Sequence, residues 1–279
     1  MARLQQKPPK AYKDLEFLNS PDARLVRMLA EFLGPQRRFR QHQIRDTIVF
    51  FGSARILPKR EALKQYRDLR RKAATANGTG NGLTEAMQRA AVGVDMSRYY
   101  EDTVELARRL TVWSKSLNMQ RRFVVCSGGG PGIMEAANRG AALARGKSIG
   151  LNISLPFEQF ANPYVTPELS MEFHYFFMRK FWFAYLAKGL VIMPGGFGTL
   201  DELMEMLTLH QTRKVTKPMA VVMYGREYWK NTLDFDYMIA RGVISKKDLG
   251  LFHISDSVDE AFAYLKDVLT RAYVRNPKE

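Results

Sequence analysis

Three apolar runs, each stopping at a glycine-bearing turn, constrain this chain more than any other feature. Thr47-Ile48-Val49-Phe50-Phe51 runs into Gly52-Ser53, Phe123-Val124-Val125-Cys126 into Ser127-Gly128-Gly129-Gly130, and Leu190-Val191-Ile192-Met193 into Pro194-Gly195-Gly196. Successive apolar side chains point to opposite faces of a strand, so both faces must be covered. Further runs at Ser148–Ile153, Met219–Met223 and near 251–254 complete the set. Strands of this kind separated by helices predict an α/β fold, a Rossmann-like doubly wound parallel sheet with helices on both faces. Such sheets bind ligands outside the carboxyl ends of their strands, where these glycine turns fall.

The rest of the pattern fills in around the strands. Residues 22–33 place apolar side chains at helical spacing behind Ser20-Pro21-Asp22, which predicts a helix in an N-terminal helical extension over 1–45. A Rossmann-like nucleotide-binding domain is expected over 46–275. It is interrupted at about 57–97 by a basic insertion, read as a helix, the glycine loop Asn77-Gly78-Thr79-Gly80-Asn81-Gly82 and a second short helix. The regular pattern resumes with a helix over about 99–117. Two more helices, Glu135–Arg145 and Leu200–Thr212, follow the second and third glycine turns.

Charge and cysteine content narrow the function classes. Of a formal net charge of +15, the segments 1–45 and 55–76 carry +12. Neither interleaves its cations with aromatic side chains or a recognition motif, so nucleic-acid binding is not expected. Attraction for small phosphate ligands and a solvated basic helix face suffice. A single cysteine, Cys126, allows neither a disulfide framework nor a cysteine-built metal site and suits a reducing cytoplasm. The N-terminus lacks the apolar run of a secretory signal, and no stretch approaches the ~20 apolar residues of a membrane span. His42, His210 and His253 have no metal-ligand spacing; no metal and no cofactor are expected.

The glycine turns carry the chemistry. Backbone N–H groups that converge at a helix N-terminus favour an anion. Thr199 is placed to cap the following helix and to offer a hydroxyl to a phosphate. Neither the 127–132 nor the 194–199 turn continues into the Gly-Lys-Ser/Thr of a P-loop, and the Gly-x-Gly-x-x-Gly spacing is missing after the first strand. A mononucleotide is therefore expected over NAD or a hydrolysed nucleoside triphosphate.

The run Pro194-Gly195-Gly196-Phe197-Gly198-Thr199-Leu200-Asp201-Glu202 resembles the Pro-Gly-Gly-x-Gly-Thr-x-x-Glu motif of the LONELY GUY family, also labelled lysine decarboxylase-like. Phe51-Gly52-Ser53-Ala54-Arg55, Ser127–Ala137 and Met178-Arg179-Lys180 match further blocks in the family's order, over roughly 45–275. The resemblance implies hydrolysis of the N-glycosidic bond of a nucleoside 5′-monophosphate, AMP or a cytokinin riboside 5′-monophosphate, to free base and ribose 5-phosphate. It implies Arg179 and Glu202 as catalytic residues. Gly52, Ser53, Arg55, Gly129, Lys180, Pro194, Gly195, Gly196, Gly198 and Thr199 are the expected substrate contacts.

Chemistry makes sense of the pair. Ribosyl–base cleavage builds oxocarbenium character that a carboxylate stabilises. A guanidinium in bidentate contact would hold that carboxylate ionised, as would a place in the first turn of its helix. His174, Tyr175 and Phe176 are candidates for the base pocket, and Asp234-Phe235-Asp236 is too sparse for a calcium-dependent nucleoside hydrolase. No lysine stands in a recognisable pyridoxal-phosphate setting. The resemblance also implies a homodimer or larger homo-oligomer, with the helix bearing Phe181–Leu186 a candidate contact. The alternative is a non-catalytic nucleotide or molybdenum-cofactor carrier of the same fold. The preferred base stays open.

Overall fold

The computed structural model describes residues 8–75, 81–117, 122–155 and 160–275. Seven strands form one all-parallel sheet: β1 (Thr47–Phe51), β2 (Val124–Ser127), β3 (Ser148–Ile153), β4 (Ser170–Phe173), β5 (Ala187–Ile192), β6 (Ala220–Tyr224) and β7 (His253–Ser255). Their spatial order is β4-β3-β2-β1-β5-β6-β7. The chain winds outward from β1 through β4, returns to the other side of β1, and winds outward again. The switch point lies between β1 and β5, whose register runs from Ile48↔Gly189 to Phe51↔Ile192.

The helices are α1 (Leu15–Asn19), α2 (Arg24–Gln41), α3 (Lys59–Thr75), α4 (Asn81–Ser116), α5 (Ile133–Leu143), α6 (Phe176–Leu186), α7 (Phe197–Gln211), α8 (Arg226–Thr232), α9 (Phe235–Ala240) and α10 (Val258–Leu269). Two cores follow from the strand period of two. Ile48 and Phe50 of β1 face a core closed by α4, α5 and α10 through Leu106, Leu110, Ala137 and Leu265. Val49 and Phe51 face a second core, closed by Phe39 of α2, Trp182 and Phe183 of α6, Leu203 of α7 and Trp229 of α8. The doubly wound sheet expected from the apolar runs is what forms. Cys126 is buried in the second core, where desolvation pushes its thiol pKa up.

Several boundaries differ from the sequence reading. The N-terminal helix runs on to Gln41 through an internal proline, Pro35. The edge strand β4 was not anticipated; its four residues are too short to stand out as an apolar run. The larger correction concerns the basic insertion. The second short helix and the helix at 99–117 are one continuous α4 of 36 residues, about 54 Å long at 1.5 Å per residue. The glycine loop lies outside the described residues, except for Asn81 and Gly82, which begin α4. The C-terminal half of α4 lies against α5 so closely that a Cβ on Gly140 would overlap the carbonyl oxygen of Val104. Its N-terminal half reaches the cavity at the carboxyl ends of the strands.

Candidate functional site

A cavity of about 760 Å³ opens at the β1/β5 switch point. The Gly52–Arg55 turn after β1 and the Pro194–Thr199 turn after β5 form its floor. Both turns are bolted to their neighbours. The N–H of Met193 donates to Phe51 O at 2.8 Å and that of Ser53 to Pro194 O at 3.0 Å, while Ser53 O accepts from Ile133 N at 3.1 Å. The Ser53 hydroxyl oxygen accepts from the Arg55 N–H at 3.1 Å. The backbone N–H of Ser53 is thus committed to the fold, and the residue lines the cavity.

The helix start differs from expectation. Helix α7 begins at Phe197, with Gly196 as N-cap and no side-chain capping bond. Thr199 is therefore not the cap; it sits in the first turn, buried, with its N–H donating to Gly196 O at 3.0 Å. The N–H groups of Phe197 and Gly198, at the first two helical positions, have no intrahelical acceptor and leave room for an anion. A Cβ on Gly195 would stand 2.7 Å from Thr199 Cβ and 3.0 Å from Ser53 N, so only glycine lets the two turns touch.

Glu202 lies in the second turn of α7, on the same face as Gly198 and Thr199. It is not a first-turn acid, and the helix dipole falls off before reaching it. Its side chain is 5% exposed, and the Arg179 Nη2 stands 3.9 Å from its Oε1. That is neither bidentate nor a hydrogen bond. Burial therefore dominates: desolvation pushes the Glu202 pKa up to about 7, against the pull of Lys180 and Arg179. Arg179 is half-buried, and desolvation lowers its pKa. Its guanidinium lies over the rings of Phe176 (5.1 Å) and Phe183 (5.6 Å), one turn to either side on α6, and its Nε has no partner.

Gly52, Ser53, Arg55, Pro194, Gly195, Gly196, Gly198 and Thr199 line the cavity beside Arg179 and Glu202. Gly129 and Lys180 do not. Gly129, at φ +73°, packs against Gly150; its N–H donates to the Ser127 hydroxyl, and its carbonyl accepts from Asn162. Lys180, about 100° around α6 from Arg179, pairs with Asp201 (2.9 Å) and Glu205 (3.0 Å), strutting α6 against α7. Burial works against its charge, but the bonds to those carboxylates outweigh it and raise its pKa. Of the aromatic candidates only Phe176 reaches the cavity; the backbone N–H groups of His174 and Tyr175 are bound to Glu31. Asp234 caps α9 through the Tyr237 N–H.

The sequence reading missed one wall and one support. Arg89, Val92, Gly93 and Met96, on the N-terminal half of α4, also line the cavity. The basic insertion thus contributes to the site, a role hidden while its second half read as a separate short helix. Tyr228 of α8 donates its hydroxyl to Gly195 O at 2.9 Å and so holds the glycine turn from behind. No sequence signal marks it. No lysine lines the cavity among the described residues. Nor does any cluster of three or more His, Cys, Asp or Glu among them suit a metal ion.

Fold and site together define a doubly wound α/β protein with a crevice lined by two glycine turns at its switch point and Arg179 beside the buried Glu202. Residues 134–265 match the protein family described as "Possible lysine decarboxylase", the label also carried by the family that the four motif blocks resemble. No curated protein matches the sequence. Among solved structures, the molybdenum cofactor carrier protein from Chlamydomonas reinhardtii is 19% identical, with a TM-score of 0.45 over 81% of this chain and 99% of that one. A structural-genomics target solved by X-ray diffraction is 22% identical, with a TM-score of 0.43 over 61% of this chain and 89% of that one. No helix among the described residues is long and apolar enough to cross a membrane.

Proposed function

We propose that this protein hydrolyses the N-glycosidic bond of a nucleoside 5′-monophosphate, releasing the free base and ribose 5-phosphate. The observation that carries this reading is the buried Glu202, with Arg179 beside it, one turn along α7 from the open N–H groups of Phe197 and Gly198. The helix terminus takes the 5′-phosphate. The ribose then lies over Glu202, whose carboxylate stabilises the developing oxocarbenium ion or aligns a water at the anomeric carbon. Arg179, with unspent donors, holds that carboxylate and the sugar hydroxyls in place. The base is left facing Phe176 and the α4 wall.

The test is to incubate the pure protein with AMP, other nucleoside monophosphates and prenylated AMP, and to assay free base by chromatography. Release from at least one is expected. A folded protein that cleaves none of them overturns the reading, and a co-purified pterin in such a preparation would favour the non-catalytic carrier.

We further infer a homodimer. Leu25, Leu29 and Leu33 on α2, and Phe177, Phe181 and Tyr185 on α6, leave large apolar side chains exposed on two helices that pack together. A second copy covers them. Light scattering should report at least twice the chain mass of 32.0 kDa; a monomer across the micromolar range would remove the dimer.

A further inference from the structure

The helix that carries Arg179 is gripped at two points by one residue of the N-terminal helix, Glu31. Pro35 sits inside α2. Having no N–H, it leaves the carbonyl four residues earlier without its helical partner, and that carbonyl belongs to Glu31. The freed oxygen accepts the Trp182 indole N–H at 3.1 Å. The carboxylate of the same residue accepts the backbone N–H groups of His174 (2.7 Å) and Tyr175 (3.2 Å), the two residues that lead into α6. Tyr175 is the N-cap of α6 and supplies no side-chain cap of its own. Glu31 thus satisfies the N-terminus of α6 with a negative charge, where the dipole favours one, and grips the helix again two turns on.

Arg179 lies between the two grips. Its backbone N–H donates to Tyr175 O at 3.2 Å, so the residue whose N–H Glu31 binds also supplies the helical acceptor of Arg179. Its own side chain does little to locate it: the contact to Glu202 is 3.9 Å, and Nε has no partner. Where the guanidinium stands is therefore decided by where α6 stands. Around the grips, Phe32 packs on Phe181 and Trp182, Phe39 on Trp182, and Arg38 donates to Ser170 O of the edge strand at 2.7 Å. All of these α2 residues lie outside the family-matched segment 134–265.

We propose that α2 is a strap for the active site and that Glu31 is a positioning residue for Arg179, setting its register against Glu202. This rests on the proposed glycosidic hydrolysis. Displacing a catalytic group by about 1 Å is enough to lower turnover up to about 100-fold.

The test uses Glu31→Ala, Glu31→Gln and Trp182→Phe in the full chain. With a nucleotide that the wild type cleaves, Glu31→Ala should lower kcat about tenfold or more while KM changes less than about twofold. Trp182→Phe, which keeps an aromatic ring in the core but loses the indole N–H and part of the ring packing, should lower kcat about threefold, and Glu31→Gln should fall between. In an Arg179→Ala background, Glu31→Ala should add no further loss, because a positioning residue acts through the group it positions. An equal further loss in that background, or full turnover in Glu31→Ala, overturns the proposal.

Amide hydrogen exchange supplies a readout independent of activity. Exchange in 174–182 should accelerate in Glu31→Ala while that of α7 stays unchanged. Unchanged exchange in 174–182 overturns the strap even if no substrate is found. Should Glu31→Ala fail to fold, Trp182→Phe carries both measurements. A wild type that cleaves nothing, yet shows the exchange difference, refutes the hydrolase reading and leaves the strap standing.

Discussion

Replacing Glu202 by glutamine is expected to lower base release by about 1,000-fold while nucleotide binding is retained, since the change removes the charge that faces the oxocarbenium ion and little else. Single-turnover assays with AMP, together with equilibrium binding, measure both. Wild-type turnover in the variant would take Glu202 out of the mechanism. The raised pKa adds a pH signature. With the Glu202 carboxyl titrating at about 7, kcat/KM should rise with pH through neutrality and fall about tenfold for each unit below it.

The same shift has a consequence for stability, of opposite sign to the usual carboxylate. Folding raises the pKa from 4.5 to about 7, so between those values the folded state holds a proton that the unfolded state has lost. Stability from this group is present in full below the lower value and is lost as pH rises through 7. Glutamine, always neutral, should therefore stabilise the protein at pH 8 by roughly 3 kcal/mol, several degrees in Tm, and leave it unchanged near pH 4. Equal melting curves at pH 8 would show that the carboxyl is not desolvated as described.

The second large effect concerns a single glycine. Gly195→Ala should lower kcat/KM by about 100-fold or more and lower Tm, because the new methyl collides with Thr199 and with the backbone of Ser53 where the two turns meet. Gly198→Ala makes the contrast. Its Cβ meets nothing within 4 Å, and alanine is the better helix former by about 1 kcal/mol. That variant should be as stable as the wild type or more so, and should raise KM by crowding the phosphate. Similar melting losses in both variants would show that the Gly195 contact is not what restricts the turn.

Much of the site was legible because its residues follow one another in sequence. The strand–glycine–helix succession at 190–202 announces a glycine turn at a helix N-terminus, and Glu202 comes with it. Local sequence could not tell how the helix starts. Thr199 looks like a cap, yet α7 begins two residues before it, because Gly196 takes the capping position and Thr199 is drawn in against Gly195. Lys180 shows the same limit. Next to Arg179 in sequence, it is turned about 100° around the helix and meets Asp201 and Glu205 instead of the cavity.

By itself, then, the sequence determined the sheet. Residues apolar on both faces, at β1, β2, β3, β5 and β6, can be satisfied only between two helical layers, and glycine turns at the ends of three of them place the ligand edge. What only the tertiary structure decided is which turns meet and what state the side chains between them take. The β1 and β5 turns become partners because the winding reverses between them, a fact of strand order that no local pattern carries. The pKa of Glu202 is set by burial, which depends on helices packed from elsewhere in the chain. Pro35, which reads as a helix breaker, stands inside α2; the carbonyl it frees finds a partner 151 residues away, in the helix that presents Arg179.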